Sequence, residues 1–303
     1  MRILMHNRFP KDVKLSEIAK TGVNGYVVCA IGDMNSFSKK KVDSFRLVKK
    51  QLVKIKKDIH KVNGVIATTA QDIRKAVEEN RSVFILGIEG GDFIEDKPDR
   101  LEFIYNEGVR VFGPIHYSKN SIGSISFGWG GKVIPEIEQT GLTPFGLKLI
   151  KKANELGMVL DVAHTDDKTL TDIVKASDKP VMCSHTGPRN LQNFPRYISD
   201  SSAKMIADKG GIVGLWPYSF NKTGTRDLEM FSLYANHFKK LIGIDHIAIG
   251  TDINGVPGNM EGYENLHDSY RLIETFSANG FQEDEIRKVA AENFIGLISK
   301  ILK

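Results

Sequence analysis

The stretch MVLDVAHTDDKTLTDIVKAS, residues 158–177, joins an apolar run to a helical pattern. Residues 158–163 are almost all apolar, as expected of a strand buried on both faces, and residues 168–177 carry apolar side chains at helical spacing. A buried strand followed by an amphipathic helix is the repeating unit of α/β proteins with a parallel sheet. The strand stops at His164, so the unit also brings an imidazole to the end of a strand.

The same unit recurs along the chain. Similar apolar runs predict eight strands, at residues 2–5, 24–31, 83–88, 109–115, 158–163, 181–184, 211–216 and 246–251. Helical patterns lie between them at residues 70–80, 144–157, 168–177, 199–210 and 230–243. The alternation predicts an α/β fold with one (β/α)8 TIM-barrel domain over residues 1–303, with a two-layer Rossmann-type sheet as the alternative.

Composition narrows the class of protein. The formal charge of +5 comes largely from the lysine-rich residues 39–61, where apolar residues at helical spacing favour a solvated helix face over a nucleic-acid site. Two cysteines, Cys29 and Cys183, form neither a disulfide framework nor a CxxC zinc motif. No signal-peptide pattern and no apolar run of about 18 residues is present, so we expect a cytoplasmic protein that binds neither nucleic acid nor membrane.

Ionisable residues stand where the predicted strands end. In a TIM barrel these carboxyl ends converge on the active site, and here they carry His6, Glu89, His116, His164, His185 and Asp252. Imidazole nitrogens and carboxylate oxygens are the ligands that a catalytic zinc ion takes. Any one of these residues could be structural, since a lone histidine often forms only a hydrogen bond and an acidic residue often caps a helix or a turn. Together they indicate a metal site.

Several motifs carry a resemblance that covers nearly the whole chain. These are GIEGGD (87–92), GVRVFGPIHYSKN (108–120), the run GLTPFG to DVAHTDD (141–167), SHTGPR (184–189), GGIVGLWPY (210–218) and IAIGTDINGV (247–256). They resemble the membrane (renal-type) dipeptidases of the amidohydrolase superfamily. The resemblance implies a (β/α)8 barrel and a binuclear zinc metalloprotease that hydrolyses dipeptides, including those with a C-terminal D-residue, through a zinc-activated water.

The resemblance also implies roles for single residues. Metal ligands would be His6 for the first ion, Glu89 bridging both ions, and His164 with His185 for the second. The remaining roles concern the substrate: a hydrogen bond to the tetrahedral intermediate from His116, proton transfer from water to the leaving amine by Asp252, carboxylate binding by Arg196, and lining of the pocket by Tyr218.

Two positions depart from the family pattern. Arg8 stands where the HxD motif has its aspartate ligand, and Asp92 stands where the family has a histidine. A guanidinium has no lone pair to offer a metal, so we hypothesise that Arg8 replaces the charge of the first ion, pairing with Asp92 or Glu89, and leaves one zinc ion; two ions are the alternative.

Three functions follow from this altered site. The first is a metal-dependent hydrolase of a dipeptide or dipeptide-like amide. Its partner would be that small-molecule substrate, and the protein could be a monomer or a homodimer. The second is an enzyme of the same fold in which Arg8 binds an anionic group of a different, non-peptide substrate. The third is a non-catalytic binding protein.

Overall fold

The computed structural model describes residues 3–7, 21–38, 40–126, 140–253 and 255–302, with residues 3–7 described as backbone. The eight predicted strands are confirmed, each with ends shifted by at most a few residues. In chain order the strands are β1 (Ile3–Asn7), β2 (Gly25–Ile31), β3 (Val65–Ile66), β4 (Val83–Glu89), β5 (Val109–Gly113), β6 (Val159–Asp161), β7 (Val181–Thr186), β8 (Ile212–Leu215), β9 (Ser219–Phe220), β10 (Thr223–Gly224) and β11 (Ile247–Ile249).

The main sheet is parallel, in the order β1-β2-β4-β5-β6-β7-β8-β11. The short strand β3 adds to β4 at its amino end, and β9 with β10 forms a separate antiparallel hairpin. The end strands β1 and β11 lie beside each other, so the sheet closes on itself. The fold is therefore a (β/α)8 barrel, and the open Rossmann-type alternative is wrong.

Helices surround the barrel. They are α1 (Ser44–Lys61), α2 (Ala70–Glu78), α3 (Asp99–Asn106), α4 (Pro144–Leu156), α5 (Asp167–Ala176), α6 (Asp200–Asp208), α7 (Leu228–Ile242), α8 (Ser269–Ala278), α9 (Glu283–Arg287) and α10 (Asn293–Ile301), with a π-helical turn at Lys288–Glu292 before α10. The five helices predicted between the strands are confirmed. Helix α1 buries Val48, Leu52 and Ile59, which confirms that the lysine-rich segment is an amphipathic helix packed on the barrel.

Alternate residues of each strand enter different parts of the core. In β2, Val27 and Cys29 join an inner cluster with residues of β4, β5, β6, β7, β8 and β11, whereas Tyr26 and Val28 join the outer cluster between strands and helices. This alternation follows from the period of two along a strand. Both cysteines are buried, Cys29 in the inner cluster and Cys183 in the outer one.

Within the described ranges, every helix is too short or too polar to cross a bilayer. The longest, α1, spans 18 residues and carries a row of lysines.

Gly250 shows how tightly the carboxyl ends of the strands pack. It follows β11, and a Cβ atom at this position would collide with the carbonyl oxygen of Ser184 in β7 and lie 3.1 Å from the Cα of His185. The obstacle is backbone, so it cannot rotate away. Only glycine lets the two strand ends approach this closely.

We expect Gly250→Ala to lower the free energy of unfolding by more than about 2 kcal/mol, because the new methyl group must displace β7. Gly296→Ala is the matched control, since Gly296 is exposed in α10 and a Cβ there meets no atom within 4 Å. This control should raise the same free energy by about 0.5–1 kcal/mol. Urea unfolding followed by circular dichroism measures both, and equal effects of the two substitutions would contradict the packing.

Candidate metal centre

Three predicted ligands meet at the carboxyl ends of their strands. Glu89 is the last residue of β4, His164 follows β6, and His185 lies in β7. One ligand atom from each lies within 4.8 Å of the other two, and all three side chains are buried. The Nε2 atom of His164 is 2.7 Å from Glu89 Oε1 and 2.9 Å from His185 Nε2.

Local backbone structure turns these side chains inward. His164 adopts a left-handed conformation with φ of 69°, directly before the Thr165 amide donates back to the Val162 carbonyl in a tight turn. A left-handed φ is uncommon for a residue with a side chain, and such residues cluster at functional sites. In β7, Ser184 Oγ lies 2.8 Å from Nδ1 of His185, which directs Nε2 of that ring toward His164.

The charge state of His164 suits a ligand. Burial lowers the pKa of His164 well below its ordinary value, and the positive charge of Arg196 lowers it further. The ring is therefore neutral at pH 7 and keeps a lone pair. Two imidazole nitrogens and one carboxylate oxygen are the donors that catalytic zinc takes while keeping a fourth position open, so the chemistry of this set fits a zinc ion.

Two further predicted residues border the three ligands. The Nε2 atom of His116 is 3.2 Å from Oε2 of Glu89, the carboxylate oxygen that does not face His164. Asp252 Oδ2 lies 3.9 Å from His185 Nε2, and the Asp252 backbone is also left-handed, with φ of 46°. Both side chains are buried. The structure thus brings five of the predicted residues together.

Two of the three predicted substrate residues, Arg196 and Tyr218, lie beside the same cluster. Arg196 Nη1 is 3.0 Å from His164 Nε2, and the guanidinium lies over the ring of Tyr117. Tyr218 stacks on Trp216, with ring centroids 4.3 Å apart, and the Trp216 ring meets His185 edge-on. Burial raises the pKa of Tyr218, so its hydroxyl stays protonated at neutral pH.

Two predicted positions cannot be placed. His6 belongs to β1, of which only the backbone is described, and Arg8 lies outside the described residues. The pairing of Arg8 with Asp92 or Glu89 therefore stays a prediction.

Asp92 has partners of its own. Its carboxylate accepts hydrogen bonds from Ser118 Oγ at 2.8 Å and from Asn120 Nδ2 at 3.3 Å. Burial raises the pKa of Asp92 to about 6, and the charge of Asp33 acts in the same direction. The carboxylate is therefore destabilised in the folded protein.

Sequence reasoning missed Asp33. This residue follows β2, is completely buried, and has its Oδ1 atom 2.8 Å from Nδ1 of His116. Its position just after the second predicted strand could have indicated a role in the site, because side chains at the carboxyl ends of barrel strands converge.

The sequence profile of the membrane dipeptidases, peptidase family M19, matches residues 3–302. The chain belongs to this family. The family implies a metal ion, and Glu89, His164 and His185 form a group of described residues whose ligand atoms lie close enough together to hold one.

Individual relatives extend the comparison. A Klebsiella pneumoniae protein, described as an uncharacterized protein in the pqqA 5′ region, is 28% identical over 246 residues, which cover 78% of this chain and 88% of that protein. Dipeptidase AC, a family M19 metallopeptidase, superposes with a TM-score of 0.88 at 21% identity, covering 99% and 98% of the two chains. A Rhodobacter sphaeroides metallopeptidase, solved with a phosphinate mimic of L-Ala-D-Ala, superposes with a TM-score of 0.87 at 20% identity over 99% of both chains. These structures confirm the fold.

Asp92→Asn should make the metal-free protein more stable in a pH-dependent way. A raised pKa in the folded state means that the contribution of Asp92 to stability is present below its ordinary pKa of 3.8 and is lost as the pH rises through about 6. Asparagine at this position carries no charge and avoids this loss, so the free energy of unfolding of the variant should exceed that of the parent by about 3 kcal/mol above pH 6, and the difference should become small near pH 4.

Urea unfolding between pH 4 and pH 8 measures this difference. Asp96→Asn, at an exposed position nearby, is the control and should leave the pH profile unchanged. A gain from Asp92→Asn that is the same at pH 4 and pH 7 would contradict the assignment.

Proposed function

We propose that this protein is a metal-dependent hydrolase of dipeptides or dipeptide-like amides. The observation that carries the proposal is the buried convergence of Glu89, His164 and His185 at the strand ends of a chain of the membrane dipeptidase family. These residues would hold one zinc ion. Bound there, zinc would act as a Lewis acid and lower the pKa of a water molecule toward about 7.

Asp252 is placed to handle the protons of hydrolysis. Its Oδ2 atom is 3.9 Å from the ligand atom of His185, so it borders the place where the attacking water would sit. In the reaction, oxygen of water adds to the carbonyl carbon and the C–N bond breaks. Asp252 would accept the proton that water loses and return it to the nitrogen of the leaving amine.

His116 is placed to stabilise the carbonyl oxygen. Its Nε2 atom faces Oε2 of Glu89 at 3.2 Å, on the side of that carboxylate away from His164. When water adds, negative charge develops on the carbonyl oxygen, and a fixed N–H donor stabilises that charge more than it stabilises the neutral substrate. His116 would therefore act mainly in the transition state.

Arg196 would bind the carboxylate of the substrate. Its guanidinium is half-buried, lies close to His164, and is held over the aromatic rings of Tyr117 and Trp216. A planar guanidinium pairs with a carboxylate through two parallel hydrogen bonds. Trp216 and Tyr218 form a stacked aromatic surface beside it that would contact the adjacent side chain of a dipeptide.

We further propose that only one metal ion binds. Arg8 replaces the aspartate of the HxD motif, and a guanidinium cannot ligate a cation. In the second predicted function, the positively charged guanidinium of Arg8 would instead bind an anionic group of a different, non-peptide substrate.

A panel of dipeptides tests the proposal. We expect zinc-loaded protein to release both amino acids from L,L dipeptides and from dipeptides with a C-terminal D-residue, and we expect turnover to stop in excess chelator and return with zinc. His164→Ala should be inactive at every zinc concentration used. Turnover that is insensitive to chelator, or no turnover by protein that contains zinc, would refute the proposal.

Arg196→Gln should discriminate between substrates with and without a C-terminal carboxylate. We expect kcat/KM for a dipeptide to fall about 10- to 100-fold, which corresponds to losing one charged hydrogen-bonded pair. For the same dipeptide with a C-terminal amide, the change should be less than about threefold. Steady-state kinetics on the two substrates measures this ratio, and an equal loss on both would show that Arg196 acts through His164 rather than on the substrate.

A further inference from the structure

Asp33 is a buried carboxylate with a specific pair of partners. It lies between β2 and a short 3₁₀ helix at Met34–Phe37, and its side chain has no exposed surface. One oxygen, Oδ1, is 2.8 Å from Nδ1 of His116, and the other, Oδ2, accepts the backbone N–H of Tyr117 at 2.9 Å. Both oxygens thus contact residues at the end of β5, and none of these contacts is local in sequence.

The backbone around Asp33 fixes the position of its carboxylate. The amide of Gly32 donates to the Glu89 carbonyl at 2.7 Å, and a Cβ atom on Gly32 would collide with the carbonyl of Gly90. Gly90 itself has φ of 91°, a conformation that glycine adopts without strain. The segments after β2 and β4 are therefore in direct contact, and Asp33 cannot shift without moving the Glu89 backbone.

This arrangement determines which nitrogen of His116 faces the metal centre. An ionised carboxylate can only accept hydrogen bonds, so Nδ1 of His116 must carry a hydrogen. The ring is then held with Nε2 toward Glu89, at 3.2 Å. Nε2 faces a carboxylate oxygen of Glu89 in the same way, so it is also placed as an N–H donor, and the hydrogen bond from Nδ1 to Asp33 fixes the direction in which the Nε2–H points.

We propose that Asp33 is a positioning residue for His116. It does not contact the substrate; it holds the imidazole so that Nε2 points to the developing oxyanion. This inference rests on the proposed function, because it assumes that His116 acts on a carbonyl oxygen. It adds a carboxylate from the second strand to a site whose other members come from the remaining strands.

Kinetics provide the first test. In Asp33→Asn, the side-chain carbonyl can accept from only one of the two donors, and the new amide group faces the other. Because His116 acts mainly in the transition state, kcat should fall about 10- to 100-fold while KM changes less than about twofold. Asp43→Asn is the control: Asp43 is exposed and caps α1, asparagine is an equally good cap, and both constants should stay at their parent values.

A double-mutant cycle separates positioning from a general structural effect. His116→Asn alone should lower kcat, and adding Asp33→Asn should lower it by no more than a further twofold, since the residue that Asp33 positions is already gone. Losses that multiply in the double variant would overturn the proposal.

A spectroscopic measurement makes the test independent of activity. In protein with 15N-labelled histidine, the Nδ1–H of His116 should give a low-field proton resonance that is absent in His116→Asn and is lost or shifted upfield in Asp33→Asn, with and without zinc. If this resonance behaves as expected but zinc-loaded parent protein hydrolyses no dipeptide, the proposed function fails while the positioning of His116 stands. An unchanged resonance in Asp33→Asn would overturn the role of Asp33, whatever the activity.

Discussion

The site depends on one carboxylate, that of Glu89, which lies between two imidazoles. One oxygen is 2.7 Å from His164 Nε2 and the other is 3.2 Å from His116 Nε2. A buried carboxylate is costly unless cations or strong donors surround it, so the groups around Glu89 must have positive or donor character. A metal ion held by Glu89 and His164 would meet this requirement on one side, and the ring of His116 lies on the other. In the proposed mechanism, the same carboxylate would therefore contact both the metal ion and the imidazole that stabilises the transition state.

Much of this arrangement could be predicted from the sequence because it follows from topology. In a closed parallel barrel, every residue that ends a strand lies at the same rim, whatever the details of packing. The apolar runs locate the strands, and the first ionisable residue at the end of each strand is then a candidate for the site. Glu89, His164 and His185 were found in this way, although they are up to 96 positions apart in the chain.

Other features could not be read from the sequence because they depend on local conformation or on contacts between distant segments. The strand predicted at 158–163 ends at Asp161, since the turn that gives His164 its left-handed φ takes over the last residues. Asp33 lies two residues after β2, and its partner His116 is 83 positions away in the sequence. Asp252 was identified, but nothing in its sequence showed that its backbone is left-handed. The short hairpin of β9 and β10 was too brief to give a periodic signal.

Zinc content is the measurement that shows whether Glu89, His164 and His185 form one metal site. Elemental analysis of protein purified without chelator should give about one zinc ion per chain, and His185→Ala should give close to none while remaining folded by circular dichroism. The control is His237→Ala. His237 forms a hydrogen bond with Asp200 and is not one of the three proposed ligands, so this variant should contain as much zinc as the parent protein. Two zinc ions per parent chain, or undiminished zinc in His185→Ala, would contradict the account.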